Sequence, residues 1–196
     1  MIISDINTAS PPLSVVRIEV ERLFGRYTYT LSKEDQHRQL DSSLVILYGD
    51  NGSGKTTILK LLFHLLSPAQ NRGHRTFLAQ TPFAKFSVLL ADGTQIVCTR
   101  GQGKLTGSFQ VKILRGEEIV PPVNYEVDDN RKVKSEDDKF IRTLNNLQLS
   151  QFFLGDDRVL NSDIFETEES GKEQILKKFL FSQISRGIDV QPTIDR

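Results

Sequence analysis

Two largely apolar runs, residues 44–48 and 58–66, are separated by only nine residues, and those nine read Gly49-Asp50-Asn51-Gly52-Ser53-Gly54-Lys55-Thr56-Thr57. The spacing predicts a buried strand, a glycine-rich turn and a buried helix in immediate succession. The turn satisfies G-x-x-x-x-G-K-[ST], a pattern whose physical meaning depends on having a strand before it and a helix after it. Both flanks are present, so the fold has to bring a helix start up against a tight, side-chain-poor loop.

That arrangement suits a phosphate group. Gly49, Gly52 and Gly54 lack a Cβ, so successive backbone N–H groups can converge on an anion. A helix beginning near Gly54 aims its unpaired N–H groups and the positive end of its dipole at the same point. Lys55 is expected to reach β- and γ-phosphate oxygens, and the Thr56 hydroxyl to complete a Mg²⁺ shell. Thr57 is either an α-phosphate contact or simply a residue of the first turn.

At 196 residues and 22.2 kDa the chain can bury a core of its own. Lys+Arg and Asp+Glu stand at 25 each, so no global field favours nucleic acid or an anionic membrane, although a local patch remains open. The single Cys98 allows no internal disulfide, and His37, His64 and His74 lack ligand spacing, which points to a reducing compartment and no structural zinc. Met1-Ile2-Ile3-Ser4-Asp5 carries no basic leader, and no apolar run approaches a membrane span. The expected location is the cytoplasm, with no membrane partner.

In chain order, residues 1–14 read as a loose arm, and 15–196 as one domain. Strands are expected over 15–20 and 23–31, followed by a polar run over 32–43. The helix after the loop is apolar nearly all round, which places it inside. His64 reads as an accommodated helix residue, and Pro68 with the polar stretch 70–75 is expected to stop the helix. A β subdomain over about 76–123 contains two hairpins, one turning at Asp92-Gly93 and one at Arg115-Gly116-Glu117. Gly101-Gln102-Gly103-Lys104 lacks the first glycine of a phosphate loop and reads as a connecting turn, and Pro121-Pro122 closes the section. A mixed-charge linker over 128–139 then leads into a helical segment over about 135–187. Within it, Ser135 and Asp138 approximate a capping box ahead of Phe140, Ile141, Leu144 and Leu147. Residues 151–158 read as a short buried strand running into an acidic turn, and a second capped helix from Ser170 to Gly187 completes the reading.

Together these features carry a resemblance. The Ile/Val-rich first strand, Phe24-Gly25-Arg26-Tyr27, the polar turn, the strand into Gly49 to Thr57 and the antiparallel excursion resemble the N-terminal part of ABC-type ATPases. The nearest members are the SMC, RecF and OLD-nuclease relatives of DNA repair, chromosome maintenance and phage defence. The likeness covers about residues 15–160 by element order, and the phosphate loop is its specific motif. It implies an α/β P-loop NTPase fold, with a mixed sheet around the loop helix and an antiparallel β subdomain over the adenine, and ATP and Mg²⁺ as cofactors. By position, Gly49, Asp50, Asn51, Gly52, Ser53, Gly54, Lys55, Thr56 and Thr57 match the nucleotide loop, Lys55 being its catalytic lysine. Arg26, Tyr27 and Tyr29 stand where the family places base or phosphate contacts, with a solvent-facing strand side chain as the alternative for each. Gln151 stands where a Mg²⁺- and water-sensing glutamine follows the β excursion, with a polar helix-end residue as its alternative.

The chain also departs from the family. It has no Leu-Ser-Gly-Gly-Gln-like signature, and only two apolar stretches end in acid. Residues 88–92 are explained by hairpin chemistry; residues 152–156 are interrupted by Gly155, which leaves Asp156 or Asp157 as the candidate Mg²⁺-binding acid. The favoured reading is the front portion of a longer ATPase, with a small P-loop protein completed by a partner as the other. Family catalysis occurs between two copies that sandwich ATP, so a lone front lobe is expected to bind nucleotide with little turnover. A second copy, a nuclease or other effector, and DNA are the candidate partners. The alternatives are an ABC transporter nucleotide-binding subunit, a non-hydrolysing ATP sensor, and a self-contained small P-loop enzyme. The last is disfavoured by the absent Asn-Lys-x-Asp base reader, by the poor lid pair Arg131 and Arg142, and by the β-rich middle.

Overall fold

The computed structural model describes residues 14–32, 47–134, 138–147, 149, 151–154 and 160–163. The N-terminal arm, most of the polar run, residues 44–46, Asp156, Asp157 and the helix expected from Ser170 lie outside them. The described chain is mixed α/β, with a six-stranded sheet in the order β2-β1-β3-β4-β5-β6 and a separate β7-β8 pair.

The sheet is built from β1 (Val15–Leu23), β2 (Tyr27–Ser32), β3 (Lys85–Leu90), β4 (Gln95–Thr99), β5 (Phe109–Arg115) and β6 (Glu117–Tyr125). Alternation along each strand sends every second side chain to one face. On β5, Phe109, Val111 and Ile113 are buried while Gln110 and Lys112 are half-exposed. Register aligns these positions into a row: Tyr29 pairs with Val20, Val20 with Phe86, Phe86 with Cys98, Cys98 with Val111, and Val111 with Val123. One apolar line therefore crosses all six strands. The opposite face is polar, with Ser87 Oγ donating to Glu19 at 3.0 Å and Lys85 paired to Glu21 at 3.1 Å.

Both expected hairpins form. Asp92 builds the first turn by accepting from the Thr94 amide and the Thr94 hydroxyl, each at 2.9 Å. Gly101 to Lys104 is the expected turn, closed by the Lys104 amide on the Gly101 carbonyl. The second strand begins later than expected from Leu23, because Phe24, Gly25 and Arg26 form the turn, with Arg22 and Phe24 both at φ 54°. Pro121-Pro122 does not end the β section: β6 runs through both to Tyr125. It is an edge strand, and its pairing with β5 shifts register between Val120 and Val123, so both prolines stand at a bulge rather than in the regular ladder.

Three helices are described: α1 (Lys55–Leu66), α2 (His74–Gln80) and α3 (Asp138–Asn146). α1 does not bury its whole circumference: Ile58, Leu61, Phe63, Leu65 and Leu66 face inward, while Leu59 is 41% exposed. It packs on α2 and β7 (Gln151–Leu154), and α3 packs on β6 through Phe140 and Tyr125. α2 spans the end of the stretch expected to stop α1 and the first residues of the expected β subdomain, and α3 carries Phe140, Ile141 and Leu144 inward as its pattern predicts. Leu47 and Tyr48 have no regular structure, and the strands on either side of the loop form one antiparallel sheet rather than a core plus a separate β subdomain. Among the described strands no parallel pairing occurs, so they do not build the mixed sheet that was expected. No helix among the described residues is long and apolar enough to cross a membrane.

Candidate functional site

The glycine-rich loop over residues 49–54 is a turn followed directly by a helix start. The Ser53 amide donates to the Asp50 carbonyl at 3.3 Å, folding Asn51 and Gly52 into a turn. Gly54 then sits at φ 92°, ψ 10°, a left-handed geometry that a glycine adopts without steric cost, and α1 begins at Lys55. No side chain caps this helix start, and its first turn carries no acidic residue. The first-turn amides and the positive dipole end therefore have no side-chain oxygen capping them. The Lys55 ammonium folds back over the loop and donates to the carbonyls of Gly49 at 2.6 Å and Asp50 at 2.7 Å. An ammonium has three donors, so one remains beyond these two. Thr56 is exposed at the helix start and Thr57 half-exposed.

The loop rests on the β1–β2 pair. Between Val20 and Leu23 the β1–β2 register shifts, with two residues of β1 opposite Thr28 alone. This bulge turns Leu23 to the same buried face as Val20, where strict alternation would have put it outside. A Cβ on Gly54 would lie 2.5 Å from Leu23 Cδ2, so the loop backbone is seated directly on that side chain. On the neighbouring strand the Tyr29 hydroxyl donates to the Ser53 carbonyl at 3.0 Å. Tyr27 stacks on Tyr29 with ring centres 5.8 Å apart, and the Arg26 guanidinium lies 5.5 Å from the Tyr27 ring centre. The structure thus gathers Gly49 to Thr57, Arg26, Tyr27 and Tyr29 into one neighbourhood.

Gln151 is not brought there. Its side-chain amide donates to the Phe63 carbonyl at 2.9 Å, near the C-terminal end of α1. That is about 12 Å of helical rise from Lys55. Asp156 and Asp157 lie outside the described residues. His64 shares a 2.8 Å contact between Nδ1 atoms with His74 and stacks on Phe77, as an accommodated helix residue does. No group of three or more His, Cys, Asp or Glu among the described residues could hold a metal ion.

Two arginines escaped sequence reasoning because only tertiary structure shows their partners. Arg75 is 1% exposed and caps the end of α1, donating to the carbonyls of His64 at 2.6 Å and Ser67 at 2.8 Å. Arg100 donates to the carbonyls of Phe83, Gly107, Leu78 and Thr81 and lies 4.5 Å from the Phe83 ring centre. Burial pushes its guanidinium pKa below the usual value. An open cleft of about 560 Å³ beside it is lined by Lys104, Gln110, Asn124 and Glu126. Gln110 there bonds to Asn124, and Glu126 pairs with Lys134. Leu23, the seat of Gly54, had no signal beyond its place at a strand end.

Among known proteins, no family model matches the chain and no curated protein is significantly similar.

Proposed function

We propose that the chain binds ATP with Mg²⁺ at Gly49 to Thr57, as the nucleotide-binding front part of an ATPase resembling the SMC, RecF and OLD group. The observation that carries this reading is Lys55 folded onto the Gly49 and Asp50 carbonyls, beside a helix start with neither a side-chain cap nor an acidic first turn. The remaining ammonium proton and its charge serve the β- and γ-phosphates, and the first-turn amides serve the same oxygens. Thr56, exposed and adjacent, would supply a hydroxyl to a Mg²⁺ bound with the triphosphate. Bound Mg²⁺ would neutralise phosphate charge. Arg26 and Tyr27 are the base-side candidates, because their cation–π stack ends on the exposed Arg26. Hydrolysis is assigned to sequence or a second copy that supplies a signature and an acidic strand, and the cellular role to DNA maintenance or phage defence through an effector.

Titration calorimetry with Mg·ATP tests the reading. The wild-type chain is expected to bind, and Lys55→Ala to bind at least tenfold more weakly, with an unchanged circular dichroism spectrum. Equal heats from the two proteins would overturn it.

A further inference from the structure

The loop's orientation is decided at one peptide group. Ser53 C=O and Gly54 N–H belong to the same planar trans peptide, so fixing the direction of one fixes the other in the opposite sense. Tyr29 holds the Ser53 carbonyl toward the sheet at 3.0 Å. The Gly54 amide therefore points the opposite way, away from the Tyr29 hydroxyl. A flip of this peptide rotates Ser53 ψ and Gly54 φ, and Gly54, at φ 92°, has no Cβ to restrict that rotation. Leu23 lies against Gly54, its Cδ2 2.5 Å from where a Cβ would stand.

We propose that Tyr29 is a positioning residue for the phosphate site: its hydroxyl sets the orientation of the Ser53–Gly54 peptide so that the Gly54 amide faces the triphosphate. The proposal rests on the nucleotide reading above, and it replaces a direct nucleotide contact for Tyr29 with an indirect one. The sheet supports this division of labour. Tyr29, half-exposed, stands opposite Val20 at the end of the row through Phe86, Cys98, Val111 and Val123. Its hydroxyl proton is committed to Ser53, and its stacking partner is Tyr27. Without the hydroxyl, the loop must recover the receptive orientation at the expense of binding.

Tyr29→Phe removes the hydroxyl and keeps the ring. Mg·ATP and Mg·tripolyphosphate are the probes, the second having phosphates and no base. Loss of one neutral hydrogen bond is expected to weaken both by the same factor, roughly three- to tenfold. Hydrogen exchange at the Gly54 amide of the unliganded protein is expected to change alongside. Weakening of ATP alone would make Tyr29 a base contact and overturn the proposal, as would unchanged affinity for both. If wild type binds neither probe, the nucleotide reading itself falls and takes this role with it.

Discussion

At the scale of single residues, the loop contains glycines that do different work. Gly52 has φ 80° and open space around a Cβ, whereas Gly54 combines φ 92° with Leu23 at 2.5 Å. Alanine at 52 is expected to cost about 1–2 kcal/mol, the strain of a left-handed L-residue. Alanine at 54 adds overpacking, for a total of about 2–4 kcal/mol. Urea unfolding of both variants checks this, and Gly54→Ala placed in a Leu23→Ala background is expected to cost less than in wild type, because the clash partner is gone. Additive effects would show that Leu23 is not what Gly54 rests on. Tyr29 and Lys55 act in the same few ångströms by other means, one turning a carbonyl and the other covering two.

Among the elements, short pieces are joined by arginines rather than by long helices. α2 has seven residues, too few to be stable alone. Arg100 supplies what it lacks, bonding the carbonyls of Leu78 and Thr81 at its end, Phe83 ahead of β3, and Gly107 ahead of β5. Its guanidinium also lies against Phe83 and Phe109, 4.5 and 5.7 Å from the ring centres. Arg100→Met is expected to destabilise the fold by about 3 kcal/mol, since several carbonyls lose a charged donor together. Arg100→Lys should recover less than half, because a single ammonium cannot span the fork or stack on two rings. Chemical denaturation of both variants is the measurement, and full recovery by lysine would refute the geometric argument.

For the molecule as a whole, the apolar row across the sheet couples stability to alkaline pH. Cys98 lies fully buried at its centre, and desolvation pushes its thiol from 9.0 up to about 12. Above pH 9 the unfolded chain gives up this proton while the folded chain keeps it, so unfolding releases a proton there. Stability is therefore fully present below about pH 9 and falls as pH rises toward 12. Cys98→Ala is expected to show a shallower loss than wild type over that window in pH-dependent unfolding; identical slopes would mean that the buried thiol contributes nothing.

The strands, the Asp92 turn and the glycine turn into α1 were legible from residues 15–20, 92–93 and 49–57, because each is governed by contacts within a few positions: alternation, turn chemistry, glycine freedom at a helix start. α2 was hidden because a seven-residue segment is held by Arg100 and Arg75 rather than by its own pattern. Gln151, at the start of β7, was brought to the far end of α1, a position fixed by a bond to Phe63 that no spacing encodes. The sequence alone determined the short-range devices, the loop above all. Tertiary structure alone decided what that loop stands on, because the β1 bulge that turns Leu23 inward and the register that sets Tyr29 opposite Val20 arise from pairing between strands, and their contacts with residues 53 and 54 join segments far apart in the chain.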